Sequence, residues 1–234
     1  AIAGRFVVEA RIGLGATAAA YRVRDDLLGG AVALKLLDRS GELHASDRFR
    51  REVRIVRELV HPNLVRCFDF GTHDGRLFCT MDLYEGGTLR QLIDRGELPS
   101  LGRTLELVGQ LLDALAALHA AGVLHRDIKP GNVFLSQRGD AMLADFGAAR
   151  RREESVEISS TGFVIGTPGY LPPERLLADS VDTPAGDVFA LGVLAFELLT
   201  GRAPWPYSSL PDLLARLTRE PAPRVGVYAV GLPA

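Results

Sequence analysis

The stretch HRDIKPGN, residues 125–132, decides how this chain is interpreted. It places a carboxylate, an ammonium group and an amide close together, at Asp127, Lys129 and Asn132. Among the 27 basic residues of the chain only Lys35 and Lys129 are lysines, and Asn132 is one of two asparagines. Because arginine does not replace lysine where a compact point charge is needed, the two lysines mark candidate functional positions.

Further short motifs flank this stretch on both sides. GLG at 13–15 lies between strand-like runs, where amides unhindered by a Cβ can approach phosphate oxygens, although a tight hairpin turn explains it equally well. VALK at 32–35 ends an apolar run in a lysine, for which a surface lysine with an apolar stem is the alternative. Downstream lie DFG at 145–147, GTPGYLPPE at 166–174, and Asp187 early in a predicted helix.

The composition is that of an ordinary soluble globular protein. The 234 residues are 47% apolar and 24% charged, which excludes a disordered chain, collagen and a disulfide scaffold. With a net charge of −2, nucleic acid is not an expected partner. Cys67 and Cys79 lie in apolar runs and are expected to be buried thiols in a reducing, cytoplasmic compartment. The longest apolar stretch, 188–199, is too short to span a bilayer, so no membrane segment is expected in this chain.

Periodicity divides the chain into a strand-rich and a helical part, an α+β organisation. Strands are predicted at residues 5–12, 19–25, 31–37, 65–70 and 76–83. They surround one helix whose apolar stripe is Phe49, Val53, Val56 and Val60. Glu52 falls inside this stripe, and a buried carboxylate needs a cation, for which Lys35 is the nearest lysine.

After residue 87 the period becomes helical. A long helix is predicted to end at Gly122, with a buried stripe of Leu105, Val108, Leu112, Leu115 and Leu118. Thr183 followed by Pro184 predicts the start of a helix that runs to Leu199.

In their order and spacing, these motifs resemble the protein kinase family, specifically the bacterial serine/threonine kinases of the eukaryotic-type (Hanks-type) fold. The resemblance covers essentially the whole chain. It implies a bilobal protein kinase fold with an N-lobe at 1–81, a hinge at 82–87 and a C-lobe at 88–234. The family's last C-lobe helices are not in the sequence, so a truncated C-lobe is expected. A buried Glu174, without the late-helix arginine that it normally pairs with, would be destabilising.

The resemblance also assigns the catalytic roles, because phosphoryl transfer needs positioning and charge neutralisation more than covalent chemistry. Asp127 would accept the proton of the substrate hydroxyl, and Lys129 would stabilise the transferring phosphate. Lys35, fixed by Glu52, would hold the α- and β-phosphates of ATP. The implied ligands of Mg²⁺ are Asn132 and Asp145.

Other contacts of ATP follow from the spacing to these motifs. Met81 would be the gatekeeper at the end of the fifth strand. The hinge backbone at Asp82 and Tyr84 would bind adenine, with Ala33 and Phe134 on either side of the ring. The glycine-rich loop would contribute Ile12, Gly13, Gly15 and Ala20.

Two loop positions depart from the family pattern. Ala18 stands where a third glycine is usual, and Ala20 stands where a valine usually covers adenine. We therefore expect a modest affinity for ATP.

Arg126 places a cation directly beside Asp127, and this cation predicts a binding site for an anion. Spacing from the motifs puts Arg48 and Arg150 near it, so the three arginines would form a pocket for a phosphorylated loop. Three solvated arginines are the alternative. The candidate phosphorylation sites are Thr161, Ser159 and Ser160.

The expected activity is that of a protein serine/threonine kinase that uses ATP and Mg²⁺ on protein substrates and autophosphorylates through a transient homodimer. One alternative is a pseudokinase scaffold with weakened ATP binding, favoured by Ala18 and Ala20 and opposed by the intact catalytic set. The other is a small-molecule phosphotransferase, which would not need residues 166–174. Tyrosine specificity is disfavoured by Lys129 and Thr167.

The resemblance also predicts a substrate preference. Kinases that select arginine upstream of the target hydroxyl carry acidic residues where this chain has Thr88 and Gly131. We therefore expect little preference for arginine three residues before the target. Glu85 would compensate only if the hinge turned it inward.

Overall fold

The strand-rich part forms one five-stranded antiparallel sheet. The computed structural model describes residues 1–15, 18–37, 55, 57–145, 157–158, 164–165, 168–176 and 182–228. The strands of the sheet follow one another in the order β1-β2-β3-β5-β4. They are β1 (Phe6–Leu14), β2 (Ala18–Asp25), β3 (Ala31–Leu37), β4 (Cys67–His73) and β5 (Arg76–Met81).

All five predicted strands are present, and β3 has the predicted bounds. Each of the others differs from its predicted bounds by one to three residues at one or both ends, since strand ends depend on pairing with the neighbouring strand. The β4–β5 turn consists of Asp74 and Gly75, both with positive φ, because a two-residue hairpin needs this backbone to match the strand twist.

A small core lies against the sheet, and an ion-paired cluster closes its outer end. The buried side chains are Ile2, Phe6, Val23, Leu34 and Phe78. Arg5 donates to both oxygens of Asp25 at 2.8 and 2.6 Å and to Asp69 at 3.0 Å. Asp25 also accepts the backbone N–H groups of Leu27 and Leu28, so it fixes the β2–β3 turn.

The helical part contains five α-helices among the described residues. They are α1 (Leu89–Asp94), α2 (Leu101–Ala120), α3 (Pro173–Leu176), α4 (Pro184–Thr200) and α5 (Leu210–Arg219). Helices α2 and α4 pack on each other and supply most of the larger core. The predicted helix that opens at Thr183-Pro184 is α4, and Gly201 ends it in the left-handed conformation.

The predicted buried stripe of α2 was partly wrong. Leu105 is 61% exposed and Leu112 is 44% exposed. The buried side chains of α2 are Thr104, Leu107, Leu111, Ala114, Leu115 and Leu118. Leucines occur all round this helix, so the periodicity alone did not decide which face is buried.

The predicted N-lobe helix lies mostly outside the described residues. Residues 55, 57 and 58 are helical. Val60, predicted on the buried stripe, is exposed and lies beyond these helical residues.

Two short hairpins complete the fold. The first pairs β6 (Val133–Leu135) with β7 (Ala141–Leu143), and the second pairs β8 (Glu157–Ile158) with β9 (Val164–Ile165). Asn132 directly precedes β6, and Asp145 closely follows β7. The β6–β7 hairpin therefore places Asn132 and Asp145 at the same end of the hairpin, close to each other.

Candidate active site

Residues 125–132 connect α2 to β6, and Asp187 of α4 holds them in place. The buried carboxylate of Asp187 accepts the backbone N–H groups of His125 at 2.9 Å and Arg126 at 2.8 Å. It also lies 2.8 Å from Nε2 of His119 at the end of α2. Arg126 has a φ of 69°, which is costly for a residue with a side chain and needs such support.

The carboxylate of Asp127 is the centre of a short polar network. Nζ of Lys129 lies 2.9 Å from Oδ2 of Asp127. Nδ2 of Asn132 donates to the same Oδ2 at 2.8 Å and to the Asp127 carbonyl at 2.7 Å. Asp127, Lys129 and Asn132 therefore meet, as the sequence predicted, with the carboxylate oriented by two donors.

His125 connects this loop to the strand that precedes Asp145. Its Nδ1 accepts the N–H of Asp127 at 3.2 Å, so Nε2 carries the proton and donates to the Ala144 carbonyl at 2.9 Å. Burial lowers the pKa of His125 and keeps the ring neutral.

Lys35 reaches across the cleft to Asp145. The β-ladder fixes Lys35 in register with Ala20 on β2 and Cys79 on β5. Its Nζ lies 2.8 Å from Oδ1 of Asp145, a residue that also has a positive φ, 64°. Lys35 lies in the sheet and Asp145 in the helical part, so their ion pair joins the two parts.

Both members of this pair are charged. Burial favours the neutral forms, but the ion pair and hydrogen bond with Asp145 outweigh it and raise the pKa of Lys35. The same contacts overcome burial in the opposite direction and lower the pKa of Asp145, with smaller effects from His125 and Lys129. A cation that binds Asp145 would therefore compete with Lys35.

An apolar cluster, to which Met81, Tyr84 and Phe134 contribute, lies at the end of β5. Met81, the last residue of β5, is in register with Ala33. Phe134 packs against Tyr84 at 6.4 Å between ring centroids. Burial raises the pKa of Tyr84 to about 12, so its hydroxyl stays protonated. Met81, Tyr84 and Phe134 therefore lie near one another, and Ala33 lies beside Met81, while their contact with a base stays a prediction.

The backbone of the predicted hinge, residues 82–87, has one donor already engaged. The N–H of Asp82 donates to the Arg66 carbonyl at 3.1 Å, so Asp82 would offer its carbonyl to a base. The loop residues Ile12 and Gly15 are exposed, and the Gly15 N–H closes the loop on the Ala18 carbonyl at 2.8 Å.

The residues present fit a divalent metal shared with a nucleotide. Asp145 offers a carboxylate and Asn132 an amide oxygen, which are hard ligands suited to Mg²⁺. Nδ2 of Asn132 is directed at Asp127, so Oδ1 is the atom that would bind a metal. Within the described ranges no cluster of three or more His, Cys, Asp or Glu side chains would hold a metal alone. Mg²⁺ sites of this kind are completed by phosphate oxygens and water.

Several predicted site residues lie outside the described residues. They are Glu52, Arg48, Arg150, Ser159, Ser160 and Thr161. Glu174 is exposed, so the destabilisation expected of a buried Glu174 without its partner does not arise. Both cysteines are free, and burial raises their thiol pKa values, to about 12 for Cys67.

Two residues beside the site were not predicted to contribute to it. Arg175 donates from Nη1 to the Arg126 carbonyl at 3.0 Å. Asp182 lies 3.0 Å from Nε of Arg126 and 2.9 Å from Nε of Arg175. Neither has a motif spacing that relates it to the loop, and arginine is too common in this chain to draw attention.

The sheet presents Lys35, and the helical part facing it presents Asp127, Lys129, Asn132 and Asp145. This is the arrangement of a two-lobed phosphotransferase. The family model described as protein kinase domain matches residues 6–221. The chain belongs to the protein kinase family, which confirms the predicted resemblance and the α+β fold.

The similar proteins are bacterial serine/threonine kinases. The chain is 39% identical over 232 residues to the serine/threonine-protein kinase PknL of Mycobacterium tuberculosis, covering 98% of this chain and 57% of that protein. It is 40% identical over 211 residues to the serine/threonine-protein kinase pkn2 of Myxococcus xanthus, covering 86% and 25%. It is 35% identical over 225 residues to the DNA damage-responsive serine/threonine-protein kinase RqkA of Deinococcus radiodurans, covering 95% and 34%. The chain thus spans between a quarter and somewhat over half of these relatives.

Among the described residues no helix is long and apolar enough to cross a membrane.

Proposed function

We propose that this domain transfers the γ-phosphate of ATP, with Mg²⁺, to serine and threonine hydroxyls of proteins. The observation that carries the proposal is the contact of Lys129 and Asn132 with Asp127, opposite the Lys35–Asp145 pair. A small-molecule phosphotransferase would not need the segment 166–174, and the residue that follows it, Arg175, contacts the loop at the Arg126 carbonyl.

The proposed roles of Asp127, Lys129 and Lys35 are compatible with their positions. Asp127 accepts the proton of the substrate hydroxyl and orients its oxygen, and two donors hold its carboxylate in place. Lys129 lies beside Asp127 and places positive charge where the transferred phosphoryl group gains negative charge. Lys35 binds the α- and β-phosphates.

The metal site and the adenine pocket complete the proposed assembly. Asn132 and Asp145 hold Mg²⁺, which when bound neutralises charge on the phosphate oxygens. Adenine lies between Ala33 and Phe134 and below Ala20, with Met81 at the back and the backbone of Asp82 and Tyr84 along one edge. Ile12, Gly13 and Gly15 cover the phosphates. Glu52 stays a predicted partner of Lys35.

The test is transfer of ³²P from ATP to a mixed protein substrate. Asp127→Asn removes the proton acceptor but keeps the shape, so transfer should fall by about 10²–10⁴-fold. Asp26→Asn, in the exposed β2–β3 turn, is the matched control and should keep wild-type transfer. A wild-type domain that binds ATP but transfers nothing would instead favour the pseudokinase alternative.

Regulation by loop phosphorylation is part of the proposal. Thr161, with Ser159 and Ser160 as alternates, receives phosphate from a second copy in a transient homodimer, and Arg48, Arg126 and Arg150 bind it. Of this set, Arg126 lies within the described residues, and its Nε is 3.0 Å from the carboxylate of Asp182. A phosphate would be a partner of the same kind, because it too is an anion. Mass spectrometry of autophosphorylated protein should find phosphate between Ser155 and Thr167.

The same proposal retains an N-lobe at 1–81, a hinge at 82–87 and a C-lobe at 88–234, in a cytoplasmic domain whose partners are protein substrates. Exchange of lobes with a related kinase at residues 82–87 would test the boundaries. A soluble chimera with transfer activity supports them, and insoluble chimeras with either lobe contradict them.

A further inference from the structure

Arg126 is held at three different points, each by a residue from the segment that ends at the start of α4. Asp187 accepts its N–H at 2.8 Å, Arg175 donates to its carbonyl at 3.0 Å, and Asp182 faces its Nε at 3.0 Å. Arg175 and Asp182 also contact each other at 2.9 Å. These contacts form a closed ring through Arg126, Arg175 and Asp182, which we call the α4 clamp.

The α4 clamp acts on the residue that precedes the proposed proton acceptor. Arg126 has a φ of 69°, and a backbone in this region relaxes unless its surroundings fix it. Rotation of the peptide between Arg126 and Asp127 would turn the Asp127 carboxylate away from Lys129 and Asn132. The guanidinium of Arg175 opposes that rotation, because one planar group binds both Asp182 and the peptide carbonyl.

We propose that Arg175 and Asp182 are positioning residues for the transfer reaction, acting through Arg126 on the orientation of Asp127. This inference rests on the proposed function and adds two residues outside its motifs. The side chains of Arg126 and Arg175 are 12% and 11% exposed, so their contacts with Asp182 are screened little by solvent. The alternative is that these contacts only stabilise the fold. A positioning role and a purely structural role make different predictions.

The experiment compares phosphatase-treated wild type with Asp182→Asn and Arg175→Gln, so that no loop phosphate compensates. The asparagine amide turns a donor toward one of the two guanidinium groups, so the ring opens without loss of volume. We expect kcat to fall by about 10-fold in each variant, with the KM for ATP unchanged, because Asp127 is misplaced while the nucleotide site is intact. The kcat of the double variant should be no lower than that of the less active single variant. Asp182→Glu should recover part of the wild-type kcat.

The matched control is Asp212→Asn on α5. Asp212 has the same side-chain exposure as Asp182, 30%, and faces Nε of an arginine, Arg216, at 3.0 Å. It lies outside the clamp and should keep wild-type kcat. If the clamp had only a structural role, Asp182→Asn and Arg175→Gln would each lower the melting temperature and leave kcat per folded molecule unchanged.

Hydrogen exchange of residues 125–128 gives a readout that does not depend on activity. Opening the clamp should speed exchange there in Asp182→Asn but not in Asp212→Asn. If Arg175→Gln fails to fold, Arg175→Lys keeps the charge and loses the forked contact, and should show the same exchange. Unchanged kcat or unchanged exchange in a folded clamp variant overturns the inference. An inactive wild type whose clamp variants still exchange faster would overturn only the proposed function.

Discussion

The two walls of the cleft fix their charged groups in different ways. On the sheet side, Lys35 lies in the middle of β3, and pairing with β2 and β5 sets its position through backbone hydrogen bonds. On the helical side, residues 125–132 have no continuous ladder and contain a positive φ at Arg126. Side chains distant in sequence, such as Asp187 and Arg175, hold this loop instead.

The difference separates two kinds of substitution. Changing a side chain on the ladder removes its chemistry and leaves the frame in place, because the backbone bonds do not depend on it. Changing a side chain that ties the loop removes both order and activity, because the loop geometry depends on that side chain.

Lys35→Met tests the sheet side and should have the largest effect on activity of the substitutions that compare the two walls. Methionine matches the length of the lysine stem and lacks its charge, so phosphoryl transfer should fall by at least about 10²–10³-fold. The side chains of Lys35 and Asp145 are 27% and 29% exposed, so loss of their ion pair should lower the melting temperature only slightly. Wild-type turnover in this variant would show that Lys35 does not bind phosphate.

The sequence predicted the residues of this wall and of the Asp127 network because their chemistry restricts the residue type. Lys35, Lys129 and Asn132 stand out in a chain poor in lysine and asparagine. The change of period near residue 87 indicated the strand-rich and helical parts, and the resemblance to the protein kinases implied the bilobal fold.

What was missed depends on tertiary contacts. Arg175 and Asp182 meet Arg126 only after α4 packs against α2, and no local pattern records that meeting. The buried face of α2 was partly misplaced for a similar reason: Leu105 and Leu107 are equally apolar, and only tertiary packing, which places Leu107 in the larger core, determines which is covered.

Asp187→Asn tests the helical side and should lower stability and activity together. The buried carboxylate accepts two backbone N–H groups, while the amide has one accepting oxygen. The loss in the free energy of unfolding should be about 1–3 kcal/mol for each donor that no longer has an acceptor. Urea unfolding and kcat measure the two effects. A stable variant with low kcat would mean that Asp187 acts on catalysis without fixing the loop.

Asp25→Asn should have the opposite profile to Lys35→Met, lowering stability with no effect on kcat. The hydrogen bonds from Arg5 lower the pKa of Asp25 from 3.8 to about 2. This shift corresponds to about 1–2 kcal/mol once solvent screening is discounted. Asp69→Asn is the matched control, because Asp69 shares Arg5 but its side chain is 37% exposed against 6% for Asp25.

The pH dependence follows from the direction of the same shift. Since the folded pKa of Asp25 is below the unfolded value, its contribution is complete above pH 3.8 and is lost as the pH falls toward 2. Unfolding free energies of wild type and Asp25→Asn should therefore converge below pH 4. If the difference in unfolding free energy between the two proteins stayed constant down to pH 2, the stabilisation would come from packing and not from the charge of Asp25.

The smallest expected effect concerns substrate choice, where the two walls meet at the hinge. Glu85 forms an ion pair with Arg22 of β2, so the acid nearest to the predicted arginine site is already engaged by the sheet. Thr88 caps α1 through its side chain and so serves the fold. With Gly131 also uncharged, a substrate arginine three residues before the target would lose hydration without gaining a charged partner.

A gain-of-function variant makes this prediction sharper than a peptide array of the wild type alone. A Cβ on Gly131 would meet no heavy atom within 4 Å, and Gly131 has no positive φ, so Gly131→Glu is sterically allowed. The wild type should show little preference for upstream arginine, and Gly131→Glu should increase it by about 5-fold, or about 1 kcal/mol. Gly131→Gln, with the same size and no charge, is the control. A strong arginine preference in the wild type would mean that an acid other than Glu85 lines the groove, and equal gains in both variants would mean that charge is not the cause.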